Sequence, residues 1–566
     1  MTEKTPSFNP PGPGAWELET THWSRPVTRF AQDATVDGFI AGFSASAARY
    51  GLMLNHLEPA FVNGFAYMRA VGFGAPKNAK GPPPKIVLQI LTRVVPKMRR
   101  RIQTAHEAIT NKLWRHDLAR WDREVKPAAI VRHRKLQSVD FASLDDAGLA
   151  AHVIDAHVHL HDMVKQHHDF TVPAALPVGD FLAHVHQWTG KPAGEVLQVL
   201  RGSSKISLGV AHEELAALAA AVNASGAARA ILDGPKPAQA IVDALMAHES
   251  TAVAMNAYMD MVRVRCLGYD LGSKSVGEMP ELIVRSIKAG CDGQGTQRDD
   301  DASARARIAS LRSAVPPEHH ASFDALLDEV RLINRLRDER GHYSDGWAFG
   351  IARRALGEAG RRLAARGIFA SAESAYEASC GEIVALLKGQ PGPAEAELVS
   401  RGAWRTTKTT SDADIPAWLG APPSPPPPSD WLPEKGRRTG RAIEIFMATL
   451  FTEPEPASSA TSVKGLPVSP GTYEGVARLV NEEADFGRIQ RGDVLVTRST
   501  SPYFNVILPL LGAIVTDRGG QLCHAAIVAR EYGIPGVVGT RDASKLIRDG
   551  ARVRVNGTTG EVTVLA

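Results

Sequence analysis

From Asp33 onward, apolar positions recur at helical spacing for about four hundred residues; after Lys464 they change to short valine-rich runs divided by glycines. The first pattern predicts a helix over 86–125, broken or kinked at Pro96, with Pro127 marking its end. Ser143-Leu144-Asp145-Asp146 reads as a capping box with Asp in place of Glu. It opens a helix whose apolar stripe is Leu149, Val153, Ala156, Leu160 and Val164. Further helices are predicted over 179–189, 195–201, 211–222, 237–267 and 280–288, then a polar, Gly-rich loop at 291–301 and more helix over 317–367. Residues 402–440 are rich in Thr, Ser, Asp and Pro, and the run at 422–428 is extended polyproline. A short amphipathic piece at 442–451 precedes a spacer of small and polar residues at 452–463. Strands are predicted over 473–480, 493–497, 513–515, 536–538, 552–555 and 561–565, with helices at 502–510, 525–532 and 542–548. The expected organisation is multidomain. A tail and extended lead-in (1–30) precede a large all-α domain (31–451, with a Pro-rich loop at 407–440). A hinge linker (452–463) and a small α/β domain (464–566) follow.

Composition changes this picture little. The 566 residues carry 65 basic and 61 acidic side chains, a net charge of +4 that gives no reason to expect nucleic acid or an anionic membrane as partner. The Lys97–Arg101 basic cluster reads as a solvated helix end. Cys266, Cys291, Cys380 and Cys523 form no CxxC pair, so neither a metal site nor a disulfide framework is expected, and a reducing cytoplasm fits. The first fourteen residues lack the apolar core of a signal peptide, and no run approaches the ~20 apolar residues of a membrane span.

Candidate chemistry concentrates at Thr516-Asp517-Arg518-Gly519-Gly520-Gln521-Leu522-Cys523-His524. An apolar run leads into a Gly-Gly turn that delivers one histidine at the start of a short helix, which Gly533 and Pro535 stop. Backbone N–H groups and the helix dipole favour an anion there, so the histidine is set up to carry a phosphoryl group.

Residues 464–566 resemble the phosphohistidine swivelling domain of the phosphoenolpyruvate-utilising enzymes. The likeness rests on Gly465-Leu466-Pro467-Val468-Ser469-Pro470-Gly471, Gly492-Asp493-Val494-Leu495-Val496, the stretch from Thr516 to Glu531, Gly533-Ile534-Pro535-Gly536, and Asp549-Gly550. The resemblance implies a β/β/α swivelling fold and phosphorylation of His524. The helical part is similar, more weakly, to the middle region of rifampin phosphotransferases, through Trp16-Glu17-Leu18-Glu19-Thr20-Thr21-His22-Trp23-Ser24-Arg25-Pro26 and Leu336-Arg337-Asp338-Glu339-Arg340. Complete members carry an ATP-grasp module, and no Gly-rich phosphate loop precedes Lys464. The expectation is therefore a phosphotransfer subunit resembling those of phenylphosphate or 4-methylphenyl phosphate synthases. ATP and Mg2+ would bind on a separate ATP-grasp subunit, and a small phenolic acceptor would bind here. A rifampin-like larger acceptor and a non-catalytic phosphocarrier are the alternatives.

In that frame Gly519 and Gly520 let the backbone approach the phosphoryl group, Thr516 and Arg518 donate to its oxygens, and Cys523 precedes the histidine as in the family. Arg530 either faces the phosphate or pairs with Glu531 or Asp517. A linker of twelve coil residues spans roughly 20 Å, enough to let the histidine travel. Acceptor-side candidates are Arg337, Asp338, Arg340, His342 and Tyr343, with Trp347 and Phe349 as aromatic walls, and the helix face bearing His157, His161 and His168. Asp155, His159, Asp162 and Gln166 line another face. Asp155-Ala156-His157-Val158-His159 mimics an HxH metal motif. Residues i and i+2 lie about 200° apart on a helix, so no metal is expected there.

Overall fold

The computed structural model describes residues 6–76, 78–79, 81–293, 301–422, 424–451, 459, 461–481, 483–500, 504 and 507–565. The loop expected at 291–301 lies outside these from 294 to 300, as do residue 423 of the polyproline run, 452–458 and 460 of the hinge, and 502, 503, 505 and 506 of one expected helix. Contacts divide the chain into two compact units. One comprises Met1–Leu176, Tyr269–Ser273 and Arg340–Glu444; the other comprises Pro177–Gly268, Lys274–Glu339 and Ile445–Ala566.

The first unit is helical but not all-α. Strands β1 (Ala15–Leu18), β2 (Leu54–Val62), β3 (Phe65–Gly72) and β4 (Trp418–Gly420) form an antiparallel sheet in the order β2-β3-β1-β4. Trp16, Leu18, Phe65, Tyr67, Ile415 and Leu419 make its buried face. The β2–β3 hairpin overturns the expectation of unbroken helix from Asp33. Its loop is Asn63-Gly64, both at positive φ (52° and 84°), the two-residue connection whose twist matches paired strands.

The helix Asp146–Asp169 buries the expected stripe, with Leu149, Val153, Ala156 and Leu160 at 0% exposure. Its cap is Asp145, which accepts from the Gly148 N–H at 2.7 Å, so the box predicted from Ser143 is displaced by two residues. The helix Arg29–Arg49 lies against it at close range. A Cβ added at Gly38 would sit 2.6 Å from the His161 carbonyl oxygen, and at Gly42 2.2 Å from that of Lys165. Pro127 does not end a helix. A π-helical turn, Trp121–Val125, passes directly into Lys126–Gln137, whose first turn holds Pro127 where no backbone donor is needed. Arg101 is buried rather than solvated: its Nε donates to the Leu52 carbonyl at 2.8 Å, and its guanidinium lies over the Phe73 ring.

The second unit holds the remaining sheet: β5 (Ser462–Lys464), β6 (Leu466–Ser469), β7 (Thr472–Val480), β8 (Asp493–Thr497), β9 (Leu511–Thr516), β10 (Gly536–Val538), β11 (Arg552–Asn556) and β12 (Glu561–Val564), in the order β5-β12-β11-β7-β8-β9-β10-β6. The run β7-β8-β9-β10 is parallel and the flanking pairs antiparallel. Inward valines of these strands, with Ala477, Ala513, Ala543 and Ile547, form its core. The helix expected over 237–267 is instead two, Ala238–Ala247 and Ala252–Val262, and Cys266 forms a β-bridge to Ser275.

Candidate active site

Strand β9 ends at Thr516, and the helix His524–Tyr532 begins eight residues later. Gly519 has φ +109°, and a Cβ there would meet Cys523 Sγ at 2.7 Å, so only glycine fits the turn. Cys523 is extended and stands at the N-cap; His524 is the first helical residue, and left-handed Gly533 closes the helix.

His524 Nδ1 lies 3.0 Å from Thr500 Oγ1. With Nδ1 donating to that hydroxyl, Nε2 carries the nucleophilic lone pair. Burial, and then the positive Arg337, push the imidazole down to about 3, so it is neutral at physiological pH. Arg337 stands in Leu336–His342 and its guanidinium lies 5.9 Å from the Phe446 ring centroid. The arrangement presents an uncharged imidazole nitrogen at a helix N-terminus, with a guanidinium whose charge reaches it.

The other predicted turn residues mostly hold the turn together. The Thr516 hydroxyl donates to the Arg518 carbonyl at 2.8 Å, and the Arg518 N–H donates to the Arg498 carbonyl at 2.8 Å. The Gly520 N–H is given to the Leu450 carbonyl at 3.0 Å, and a Cβ on Gly520 would lie 2.3 Å from the Thr449 carbonyl oxygen. Arg530 is buried and donates to the carbonyls of Gln521 (3.0 Å) and Val468 (3.4 Å). Glu531 accepts from the Gly202 N–H at 2.8 Å, and burial pushes its carboxyl up to about 7. Asp517 accepts from the N–H and hydroxyl of Ser544, tying the turn to the next loop. Asp338 accepts from the Ser207 hydroxyl.

His342, Tyr343, His157, His161 and His168 belong to the first unit. The Tyr343 carbonyl lies 3.2 Å from His133 Nε2, and Lys126 Nζ lies over the Tyr343 ring; His342 is buried. His157 packs edge-on against Phe30, with ring centroids 5.0 Å apart. His161 Nδ1 lies 3.3 Å from Asp162. Of the three helix histidines, His168 alone joins a larger cluster: its ring stacks on His167 at 4.7 Å and packs on Phe39 at 3.9 Å, and His167 Nδ1 lies 2.7 Å from Asp345 Oδ1. In a separate buried group, His133 stacks on Trp347 and meets His159 edge-on. No local sequence signal marks Thr500, which meets His524, or Asp345, which meets His167. Thr500 sits in a polar loop, and Ser344-Asp345 reads as an ordinary helix start. No described helix is by itself long and apolar enough to cross a membrane, and no group of three or more His, Cys, Asp or Glu among the described residues is placed to hold a metal ion.

A glycine turn thus delivers His524 onto the N-terminus of a helix beside the small α/β sheet. Residues 489–560 match the family described as PEP-utilising enzyme, mobile domain. A rifampicin phosphotransferase of Streptomyces sp is 29% identical over 326 residues, covering 55% of this chain and 34% of that protein. The uncharacterized phosphotransferase YvkC of Bacillus subtilis is 29% identical over 256 residues, 45% of this chain and 29% of its own. The phosphoenolpyruvate synthase of Aeropyrum pernix is 50% identical over 103 residues, 18% of this chain and 12% of its own. The chain thus spans about a third or less of the length of these curated relatives.

Proposed function

We propose that this chain is a phosphotransferase that carries a phosphoryl group on His524 Nε2 from ATP, bound with Mg2+ on an ATP-grasp partner, to the hydroxyl of a small phenolic acceptor. The observation that carries this reading is the neutral His524 imidazole at the head of its helix, with Nδ1 held by Thr500 and the Arg337 charge close by. In the first half-reaction Nε2 attacks the β-phosphorus of ATP and AMP leaves; water then cleaves the pyrophosphohistidine, releasing the γ-phosphate as inorganic phosphate and leaving one phosphoryl group on Nε2. In the second, the acceptor oxygen attacks the phosphohistidine, the P–N bond breaks, and its electron pair returns to the imidazole. Arg337 offers a planar, permanently charged donor to the phosphoryl oxygens.

The second half-reaction is reversible and can be followed with this chain alone. Labelled p-cresol is expected to exchange into 4-methylphenyl phosphate, and His524→Ala to abolish the exchange. Exchange that survives in His524→Ala refutes the mechanism. The likeness to rifampicin phosphotransferases over 326 residues favours a larger acceptor as the second reading. Exchange between rifampicin and its phosphate, with none for cresol, selects that reading. Phosphorylation of His524 without transfer to either acceptor selects a phosphocarrier.

A further inference from the structure

The first unit contains a side-chain pair with the geometry of a general base. His167 Nδ1 lies 2.7 Å from Asp345 Oδ1, and both side chains are largely buried, at 14% and 8% exposure. This is the one hydrogen bond of the His167 ring among the described residues. A carboxylate that accepts from Nδ1–H fixes the tautomer and leaves the Nε2 lone pair to take a proton. Aromatic rings gather around the pair. His168 stacks on His167, Phe39 packs on His168, and Tyr269 stands edge-on to His22 at 5.7 Å. The His22 side chain is 52% exposed, so the cluster has an open side, while Glu19 holds His22 Nδ1 at 3.2 Å. Arg340 Nη1 donates to the His167 carbonyl at 3.1 Å and to the Thr171 hydroxyl at 3.0 Å, fixing the helix end that bears His167. The other buried histidine pair is spent internally: His159 Nε2 meets His133 Nδ1 at 2.9 Å beneath Trp347.

We propose that His167, oriented by Asp345, is the base that removes the acceptor's hydroxyl proton, and that His22, Phe39 and Tyr269 line the place of the acceptor ring. The assignment rests on the reading that His524 delivers its phosphoryl group to a phenolic hydroxyl. In the step, the O–H bond breaks and its proton goes to His167 Nε2. The freed pair on oxygen forms the O–P bond as the P–N bond of the phosphohistidine breaks. Burial, then Arg340 and His22, hold His167 well below its ordinary value, so it is neutral and able to accept. Burial pushes the Asp345 carboxyl up to about 7, against the pull of Arg340, the Gly346 N–H and His22. Glu19, His22, His168 and Arg340 are the other charged or titratable groups that face the pair, and transfer is expected to rise with pH as Asp345 ionises.

The test uses the full chain in the cresol exchange. His167→Asn is expected to slow exchange at least about 10²-fold while p-cresol affinity, read by calorimetry, changes less than about threefold. Imidazole is expected to restore part of the rate to His167→Ala, and Asp345→Asn to flatten the rise near pH 7. Loss of rate together with imidazole rescue distinguishes a base from a structural residue. Should His167→Asn fail to fold, as read by circular dichroism, Asp345→Asn and the rescue of His167→Ala carry the test. Wild-type exchange rates in His167→Asn, or an Asp345→Asn pH profile like the wild type's, overturn the assignment and leave the phenolic reading standing. A wild-type chain that is phosphorylated on His524 yet exchanges no cresol overturns the phenolic reading, and with it this role for His167.

Discussion

Replacing His159 with leucine is expected to remove a specific part of the protein's acid sensitivity. His159 is fully buried in the helix Asp146–Asp169. His133 Nε2 lies 3.2 Å from the Tyr343 carbonyl and donates to it, so His133 Nδ1 is left to accept the proton of His159 Nε2 at 2.9 Å. His159 Nδ1 is then a buried atom with no hydrogen-bond partner, and a proton placed there would create an unpaired buried charge. Burial, and then the positive Arg132, accordingly lower His159 from 6.5 to about 3. The folded state resists protonation while the unfolded chain takes up a proton near 6.5, so stability is full above that pH and falls as pH drops toward 3. Each pH unit in that window carries about 1.4 kcal/mol, or about 2 kcal/mol by pH 5. At neutral pH, His159→Leu costs about 1–3 kcal/mol by stranding His133 Nδ1. The assay is urea unfolding followed by tryptophan fluorescence at pH 7.5 and pH 5 for both proteins. Other depressed histidines, such as His152 and His157, titrate in both and cancel in the comparison. The wild type is expected to lose about 2 kcal/mol more than the variant on acidification. Equal losses would refute the buried, neutral histidine pair.

Three further outcomes follow from the same geometry. Arg337→Gln is expected to slow cresol exchange by about 10²-fold, since one charged donor to the phosphoryl oxygens is lost, and an unchanged rate would remove Arg337 from the site. Thr500→Val releases His524 Nδ1 and is expected to cost about 1 kcal/mol of transfer barrier, about fivefold in rate, in a protein of unaltered melting temperature. In Gly42→Ala the new Cβ would lie 2.2 Å from the Lys165 carbonyl oxygen and 2.9 Å from His168 Cβ. Parting the two helices is expected to cost about 1–3 kcal/mol in urea melts, and a variant as stable as the wild type would refute the close packing.

Elements set by local chemistry are legible in the amino-acid sequence. Strands 493–497 and 536–538 fall where valine runs bounded by glycine put them, and the His524 helix stops at the predicted glycine. The Asn63-Gly64 hairpin carries an equally strong signal, since Asn-Gly between alternating apolar residues marks a turn, but the helical pattern on either side masks it. Pro127 misleads because a proline in a helix's first turn and one that ends a helix look alike in sequence; only the π turn that precedes it tells them apart. The His167–Asp345 pair is hidden for a different reason. His167 and Asp345 lie 178 positions apart and meet only through helix packing, which periodicity does not encode. Position alone likewise cannot show that Arg530 Nη1 donates to two backbone carbonyls.

The central claim is that His524 is the residue that carries phosphate. Its most direct measurement is to incubate the full chain with Mg2+, an ATP-grasp partner and ATP labelled at the β-phosphate, and in parallel with labelled 4-methylphenyl phosphate, then map the modified residue by peptide mass spectrometry. The expected result is an acid-labile, alkali-stable phosphate on the peptide containing Cys523-His524-Ala525, absent in His524→Ala and discharged by p-cresol. Label that maps to another residue, or that persists in His524→Ala, would contradict the account.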